Sequence, residues 1–288
     1  MNKTFLFLAI ILTSVGSLAQ TPADTSYWKK GGIGTLTFSQ VSLYQWAAGG
    51  ENSFSGAAML NLFANYKKDK TSWDNTIDLG YGIIKQGKLT KKSNDRLDFS
   101  SQYGKKASEN WNYSALIGFK TQFAPGYNYP DDSTVISNAF SPAYITISIG
   151  MDYKPNENFS LFLSPVTGKM TIVLDDTLSS HGAFGVDPGK KFRSEFGGYL
   201  KASYKKTIMK NVDFMTKVDL FSNYLKNPQN IDVNWELLLS MKVNEYISAT
   251  FNALILYDDD VKVPRTDKNP GPGVQVKEVF GIGLSYKF

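Results

Sequence analysis

Twelve stretches of this chain alternate apolar and polar side chains with period two, most of them over ten residues or more. Successive side chains of a strand point to opposite faces, so each stretch reads as a strand with one apolar side. The strands run from about Ile33 to Leu43, Ser53 to Tyr66, Trp73 to Lys85, Asp95 to Tyr103, Trp111 to Phe123 and Ala143 to Tyr153. They continue from Phe159 to about Ser164, Phe192 to Tyr204, Val212 to Tyr224, Ile231 to Val243, Ile247 to Tyr257 and Gln275 to Phe288. The fifth is very regular: Trp111, Tyr113, Ala115, Ile117, Phe119 and Phe123 oppose Asn112, Ser114, Lys120 and Gln122. The seventh is the weakest, because Pro165 removes a ladder donor, and its pattern resumes only at Met170, Ile172 and Leu174. β-Branched and aromatic residues dominate throughout, which argues against helices.

Such lengths suit tilted strands that cross a bilayer better than strands of a water-soluble sheet. Mean hydropathy is only −0.25 and the hydrophobic fraction 42%. Beyond the first residues, nothing approaches the roughly twenty apolar residues of a membrane helix. A transmembrane barrel hides half of each strand from lipid, so ordinary hydropathy is expected of it. The 16 Tyr and 19 Phe supply the aromatic girdles such a barrel needs at both membrane surfaces.

Connection lengths point the same way. Links after the second, fourth, sixth, eighth and tenth strands are short. Those after the fifth (Ala124 to Pro142), seventh (Pro165 to Lys191) and eleventh (Asp258 to Val274) are long, and those after the first, third and ninth are intermediate. An outer-membrane barrel has short periplasmic turns and longer outer loops. Starting in the periplasm puts every long link outside, and an even strand number returns the C-terminus to the periplasm. The expected architecture is an all-β, transmembrane, antiparallel up-and-down barrel of about twelve strands, occupying residues 20–288.

Both chain ends agree with an outer-membrane destination in a Gram-negative bacterium. In the closing strand Phe280, Ile282, Leu284, Tyr286 and Phe288 share the apolar face. A final strand ending on Phe resembles the signal read by the outer-membrane assembly machinery, which makes that machinery and the surrounding lipid the expected partners. At the other end, Lys3, the apolar run Phe5 to Leu12 and the small Ser17 and Ala19 read as a signal peptide over residues 1–19. No Cys follows the cut, or occurs anywhere, which excludes a lipid anchor at that site, disulfides and thiolate metal sites.

If the apolar faces meet lipid, the opposite faces line a lumen. The candidate lumen residues are Asp74, Asp78, Arg96, Asp98, Lys120, Asp152, Arg193, Glu195, Lys201, Asp213, Lys217, Asp219, Asp232 and Glu236. Both signs are present. Twelve strands lie between the side-chain-filled barrel of eight and the aqueous channel of sixteen. The charges therefore either pair across a plugged interior or flank a narrow wet pore.

Other features point to less. The net charge of +5 is dispersed, with no basic face interleaved with aromatics, so no nucleic-acid partner is expected. The acidic pairs Asp131-Asp132 and Asp175-Asp176 and the triplet Asp258-Asp259-Asp260 lack the spacing and closing Glu of a calcium loop. They read as solvated loop charge, so no metal and no cofactor is expected. His181, the single His, sits in Ser179-Ser180-His181-Gly182, a poor geometry for a triad, and a Gly-x-Ser-x-Gly elbow is absent. No catalytic residue is assigned, and the chain is not expected to be an enzyme. Gly49-Gly50-Glu51-Asn52 after Trp46 reads as a tight turn.

Several stretches together carry a family likeness: Phe38 to Gly56, Lys92 to Lys106, Phe119 to Tyr127, Leu163 to Asp176, Asp219 to Tyr224, Tyr257-Asp258-Asp259 and the closing strand. The chain resembles an uncharacterised Bacteroidota outer-membrane family, a domain of unknown function. That resemblance implies a β-barrel and brings no catalytic or binding residues with it. Two functional expectations follow. The first is a small porin or passive transport channel. The alternative is a non-enzymatic structural or accessory subunit of a larger outer-membrane complex, contacting partner membrane proteins.

Overall fold

The structure is a computed structural model that describes residues 26–44, 51–263, 269 and 271–288. The expected signal peptide, Trp46 and Gly49-Gly50 lie outside the described residues. In chain order the strands are β1 (Trp28–Val41), β2 (Ser53–Lys68), β3 (Thr71–Gln86), β4 (Leu89–Lys106) and β5 (Trp111–Thr121). A small hairpin of β6 (Gly126–Tyr127) and β7 (Val135–Ser137) follows, then β8 (Ala143–Asn156) and β9 (Phe159–Ile172). The rest are β10 (Phe192–Met209), β11 (Val212–Asn223), β12 (Ile231–Lys242), β13 (Ile247–Tyr257) and β14 (Gln275–Lys287). All but β6 and β7 form one closed antiparallel barrel of twelve strands, each beside its chain neighbours, with β14 returning to β1. Closure is what lets strands cross hydrocarbon, because it pairs the ladder groups that an open sheet would leave free.

Two boundaries differ most from the sequence expectation. The fourth strand was expected to start at Asp95, but β4 starts at Leu89, and β3 reaches it through a tight turn at Gly87 and Lys88. Gly87 takes a left-handed φ of 57° there. Polar residues such as Asn94 and Lys92 masked this end of the strand, since a lumen-facing strand end need not be apolar. The seventh strand was expected to stop at Pro165, yet β9 runs on to Ile172, so the long link that follows covers only 173–191. The register with β8 shifts between Ile149/Val166 and Met151/Leu163, and that with β10 between Gly197/Thr167 and Tyr199/Ser164. Pro165 thus sits in a bulge on both sides, where its missing N–H costs no ladder bond. Around it the Ser164 hydroxyl donates to the Ile149 carbonyl (2.8 Å), and the Thr167 hydroxyl to Ser148 Oγ (2.8 Å).

The two faces separate as the alternation requires. On β14 the side chains of Phe280, Ile282, Leu284 and Tyr286 are exposed outward, with Gly281, Gly283 and Ser285 turned in. Outward aromatics gather in two bands. Near the short turns lie Trp28 with Tyr66 and Trp73, Trp111 with Tyr153, and Tyr286 with Phe288. Near the loops lie Phe119 with Phe140 and Phe196 with Tyr224. Trp111 and Phe119 stand on one strand eight residues apart. That is about 26 Å along the strand, or about 20 Å along the axis at a typical tilt, near the apolar height of a membrane barrel.

The seam is the shortest pairing in the ring. Between β1 and β14 the ladder runs only from Ile33 opposite Lys287 to Thr37 opposite Gly283, extended by mutual backbone bonds of Gly32 and Phe288. β1 meets β2, by contrast, along its whole length.

The bulge generates a test. An added Cβ at Gly150 would lie 2.0 Å from the Leu163 carbonyl oxygen, whereas one at Gly168 would meet nothing within 4 Å. Gly150→Ala should destabilise the folded barrel by about 1–3 kcal/mol, and Gly168→Ala should be neutral. Heat-modifiable gel migration and denaturant unfolding in detergent would read the difference. Equal effects would count against the bulge geometry.

Candidate functional site

The strand alternation sends all fourteen candidate lumen residues to the inner face, and half of them meet in one ion-pair network at mid-height. At mid-height Arg96 on β4 reaches Glu236 on β12 at 2.9 Å. These strands stand six places apart around the ring of twelve (β4, β5, β8, β9, β10, β11, β12), so the pair crosses the full lumen. Arg96 also contacts Asp98 (2.9 Å) and Asp78 (3.8 Å). From β5, Lys120 spans to Asp219 on β11 (3.3 Å) and Asp98 (3.6 Å). Lys217 lies 3.8 Å from Asp219, to which the Tyr199 hydroxyl donates at 2.7 Å. Lys201 donates to Ser100 Oγ, 3.2 Å away on the opposite wall. A charge is costly to bury unless it is paired, and every acid at this level has a cation within reach.

Toward the loops a second cluster forms. Lys169 approaches Asp232 (2.5 Å), Asp258 (3.6 Å) and Glu195 (3.7 Å). Arg193 pairs with Glu195 (2.5 Å) and with Asp260. Toward the short turns, Lys154 bridges Asp152 (2.8 Å) and Asp74 (2.9 Å). Asp213 is at the inner rim of the turn end, outside the network, and accepts from the Thr207 hydroxyl at 2.6 Å.

Lys154 and Lys169 were missed by sequence reasoning. Lys154 continues the lumen face of its strand two residues after Asp152 and was legible. Lys169 was hidden because the strand was taken to end at Pro165.

The lumen is filled unevenly. Under β5, β9 and β11 it holds the buried Leu116, Phe162 and Phe221 beside buried Asp98 and Asp152. Under β14, β1, β2 and β3 its lining includes the small Gly281, Gly283, Thr37, Ala57, Gly80 and Gly82, which give way to Met59, Asn61 and Phe63 toward the turn end. The side chains of Arg96, Lys120 and Asp78 each keep 34% of their surface open to water although they are paired. A wet sector therefore runs beside the ion-pair bridge.

The long loops are built by their own side chains. Helix α1 (Asp176–Ser180) is capped by Asp175, which accepts from the Leu178 N–H at 3.0 Å and from Asn138 Nδ2 at 3.0 Å. Val173, Leu178 and Val186 form a small core with Val135 and Phe184, joining the two longest outer segments. The turn at Gly185 leans over the loop-end mouth, its carbonyl accepting from Arg193 at 3.3 Å. Asp131 accepts from Ser133 (2.6 Å), Asp176 pairs with Lys191 (2.7 Å), and Asp259 accepts from Asn230 (2.5 Å). Asp260 lies 2.9 Å from Lys226. Burial pushes the Asp260 carboxyl up, but the Lys226 hydrogen bond and the Arg193 charge hold it below the usual range. His181 is exposed at the end of α1, its Nδ1 against the Thr177 carbonyl (2.7 Å) and Ser180 Oγ (3.2 Å).

A closed barrel with an outward apolar belt, aromatic bands and an inward charged network is a transmembrane β-barrel. A family model described as "Protein of unknown function (DUF3078)" matches residues 38–127. No curated protein matches the chain. Among solved structures, an outer membrane channel of Pseudomonas putida F1 is 13% identical, with 93% of this chain and 98% of that chain covered and a TM-score of 0.40. The NanC porin is 9% identical, covers 90% and 100%, and scores 0.38. The translocator domain of the autotransporter NalP from Neisseria meningitidis is 7% identical, covers 99% and 95%, and scores 0.36. The overlaps are loose, and the barrel assignment rests on the closure and faces described above.

Two tests follow from the site. Lys169→Met leaves Asp232 and Asp258 without a cation among the described residues, while Glu195 keeps Arg193, and loss of one partner from such a cluster costs about 3–5 kcal/mol. Asp232→Asn in the same chain should restore part of that loss. Denaturant unfolding of the folded barrel would read the coupling, and strictly additive effects would contradict the pairing.

The second concerns Asp175, held below the usual carboxylate range by the Asn138 hydrogen bond and then by the Leu178 amide. A carboxyl lowered in the folded state stabilises above its ordinary range, and that contribution disappears as pH falls through the lowered value. Protection of the Leu178 amide, taken relative to its intrinsic exchange rate at each pH, should therefore fall on acidification below the ordinary aspartate range. Asp175→Ala should exchange fast at every pH.

Proposed function

We propose that this chain is a non-catalytic outer-membrane channel of a Gram-negative bacterium, passing small hydrophilic solutes passively through a constricted lumen. The observation that carries the reading is the bridge of Arg96 and Lys120 to Glu236 and Asp219, paired across the lumen while Arg96 and Lys120 each stay one-third open to water, beside a lining that includes Gly283, Thr37 and Ala57. A purely structural plug gains nothing from a wet sector, whereas a constriction with both charge signs beside a wet path restricts solute size. In this reading residues 1–19 are a signal peptide, both termini and the short turns are periplasmic, and the long loops face outward. The outward closing strand with Phe288 is what the assembly machinery reads. The likeness of several stretches to a Bacteroidota family suits this location.

One observation favours the accessory reading as well. Among the described residues the β1–β14 ladder ends at Thr37 and Gly283, although Phe280 and Ile282 still present apolar side chains outward. An unpaired strand edge at membrane depth invites a partner strand.

Conductance separates the two. Folded protein in a planar bilayer should give small discrete steps, and Arg96→Ala should enlarge them by removing the bridge. Silence of heat-modifiable, correctly folded protein would reject the channel and favour the accessory role.

A further inference from the structure

The turn end of the lumen carries charge that the central network does not use. Register assigns six lysines there to the inward faces. Lys29 is opposite Asn65, and Lys67 follows Asn65 by two residues, on the face whose Asp74 pairs across the lumen. Lys106 is opposite Asn112, which is itself opposite the buried Asp152. Lys205 is opposite Met215, two residues before Lys217. Lys242 is opposite the buried Ser248, and Lys287 is opposite Ile33, two residues before the buried Thr35. They come from β1, β2, β4, β10, β12 and β14, so they surround the mouth rather than forming a patch on one wall.

All six are exposed, and among the described residues none has a carboxylate within ion-pair distance. Lys154 belongs to the same level and is shared by Asp74 and Asp152, which together leave one negative charge there. Asp213 adds a second inward acid at this rim. The turn tips add Asp69, Glu109, Glu157 and Glu245 against Lys70 and Lys210, which leaves the rim cationic. At the loop end Lys169 and Arg193 are each surrounded by carboxylates, and the inward Lys277 there donates only to Asn94. Inward lysines without a carboxylate partner are thus concentrated at the turn-end mouth.

We propose that this lysine ring is an anion-binding site that gathers small carboxylate or phosphate solutes at the turn-end mouth. A ring of like charges around a low-dielectric opening focuses its field and concentrates counter-ions there. Lysine suits the task, because a compact ammonium on a flexible stem holds hydrated anions as a point charge without bidentate capture. The proposal deepens the channel reading and rests on it for the passage that follows capture; the binding itself does not.

Bilayer recordings across a KCl gradient test it. The reversal potential should have the sign of chloride preference. That preference should vanish in the combined variant Lys67→Gln, Lys106→Gln, Lys242→Gln, and persist in the outward-facing control Lys30→Gln, Lys68→Gln, Lys206→Gln. Cation preference in the unaltered protein, or chloride preference unchanged in the ring variant, overturns the ring. If folded protein conducts nothing, the channel reading falls, and the ring is judged by calorimetric titration with tripolyphosphate at low salt. Binding that is lost in the ring variant and in about 1 M salt, where the screening length is about 3 Å, supports it. No binding, or equal binding by both proteins, overturns it.

Discussion

Everything in this molecule depends on closing the hydrogen-bond ladder. In hydrocarbon an unpaired N–H or C=O costs several kcal/mol, so strands that cross must form a ring. The ring forces alternate side chains outward and inward along all twelve strands, and so one chain carries an apolar shell and a polar interior at once. The device at Pro165 is a consequence of the same constraint. A residue that cannot donate is tolerated because the bulge places it where the ladder asks for no donor.

The interior answers a second constraint, that buried charge must be paired. Arg96 reaches Glu236 and Lys120 reaches Asp219 across the lumen, while Asp98 and Asp219 are also held by Arg96 and Lys217 of their own strands. Such bridges tie opposite walls of the barrel together and set the bore. They also divide it: bulky Phe162 and Phe221 fill one side, and the other is lined by glycines and Thr37 near the loops and by Met59 and Phe63 toward the turns. Constriction and wetness therefore arise from the same arrangement of strands.

Much of the fold was legible in the sequence because period-two alternation is a one-dimensional signal. The faces of Trp111 to Phe119 or Phe280 to Phe288 follow from counting by twos. The misreadings fell where that signal lapses. Thr90 to Asn94 is polar on both faces, so the start of β4 passed for a link, and Pro165 hid a strand that a bulge carries onward. Lys169 was lost with that strand end, and with it the centre of the loop-end cluster.

The sequence by itself determined the strand number, the apolar and polar faces and the fourteen inward charges, because each depends only on neighbours along the chain. Only the tertiary structure decided which charges meet. Arg96 and Glu236 are 140 residues apart, and no local pattern says that β4 and β12 are diametric. That follows from the ring closing with twelve strands and from the register of each pair, which is also why six lysines scattered along the chain come to surround one mouth.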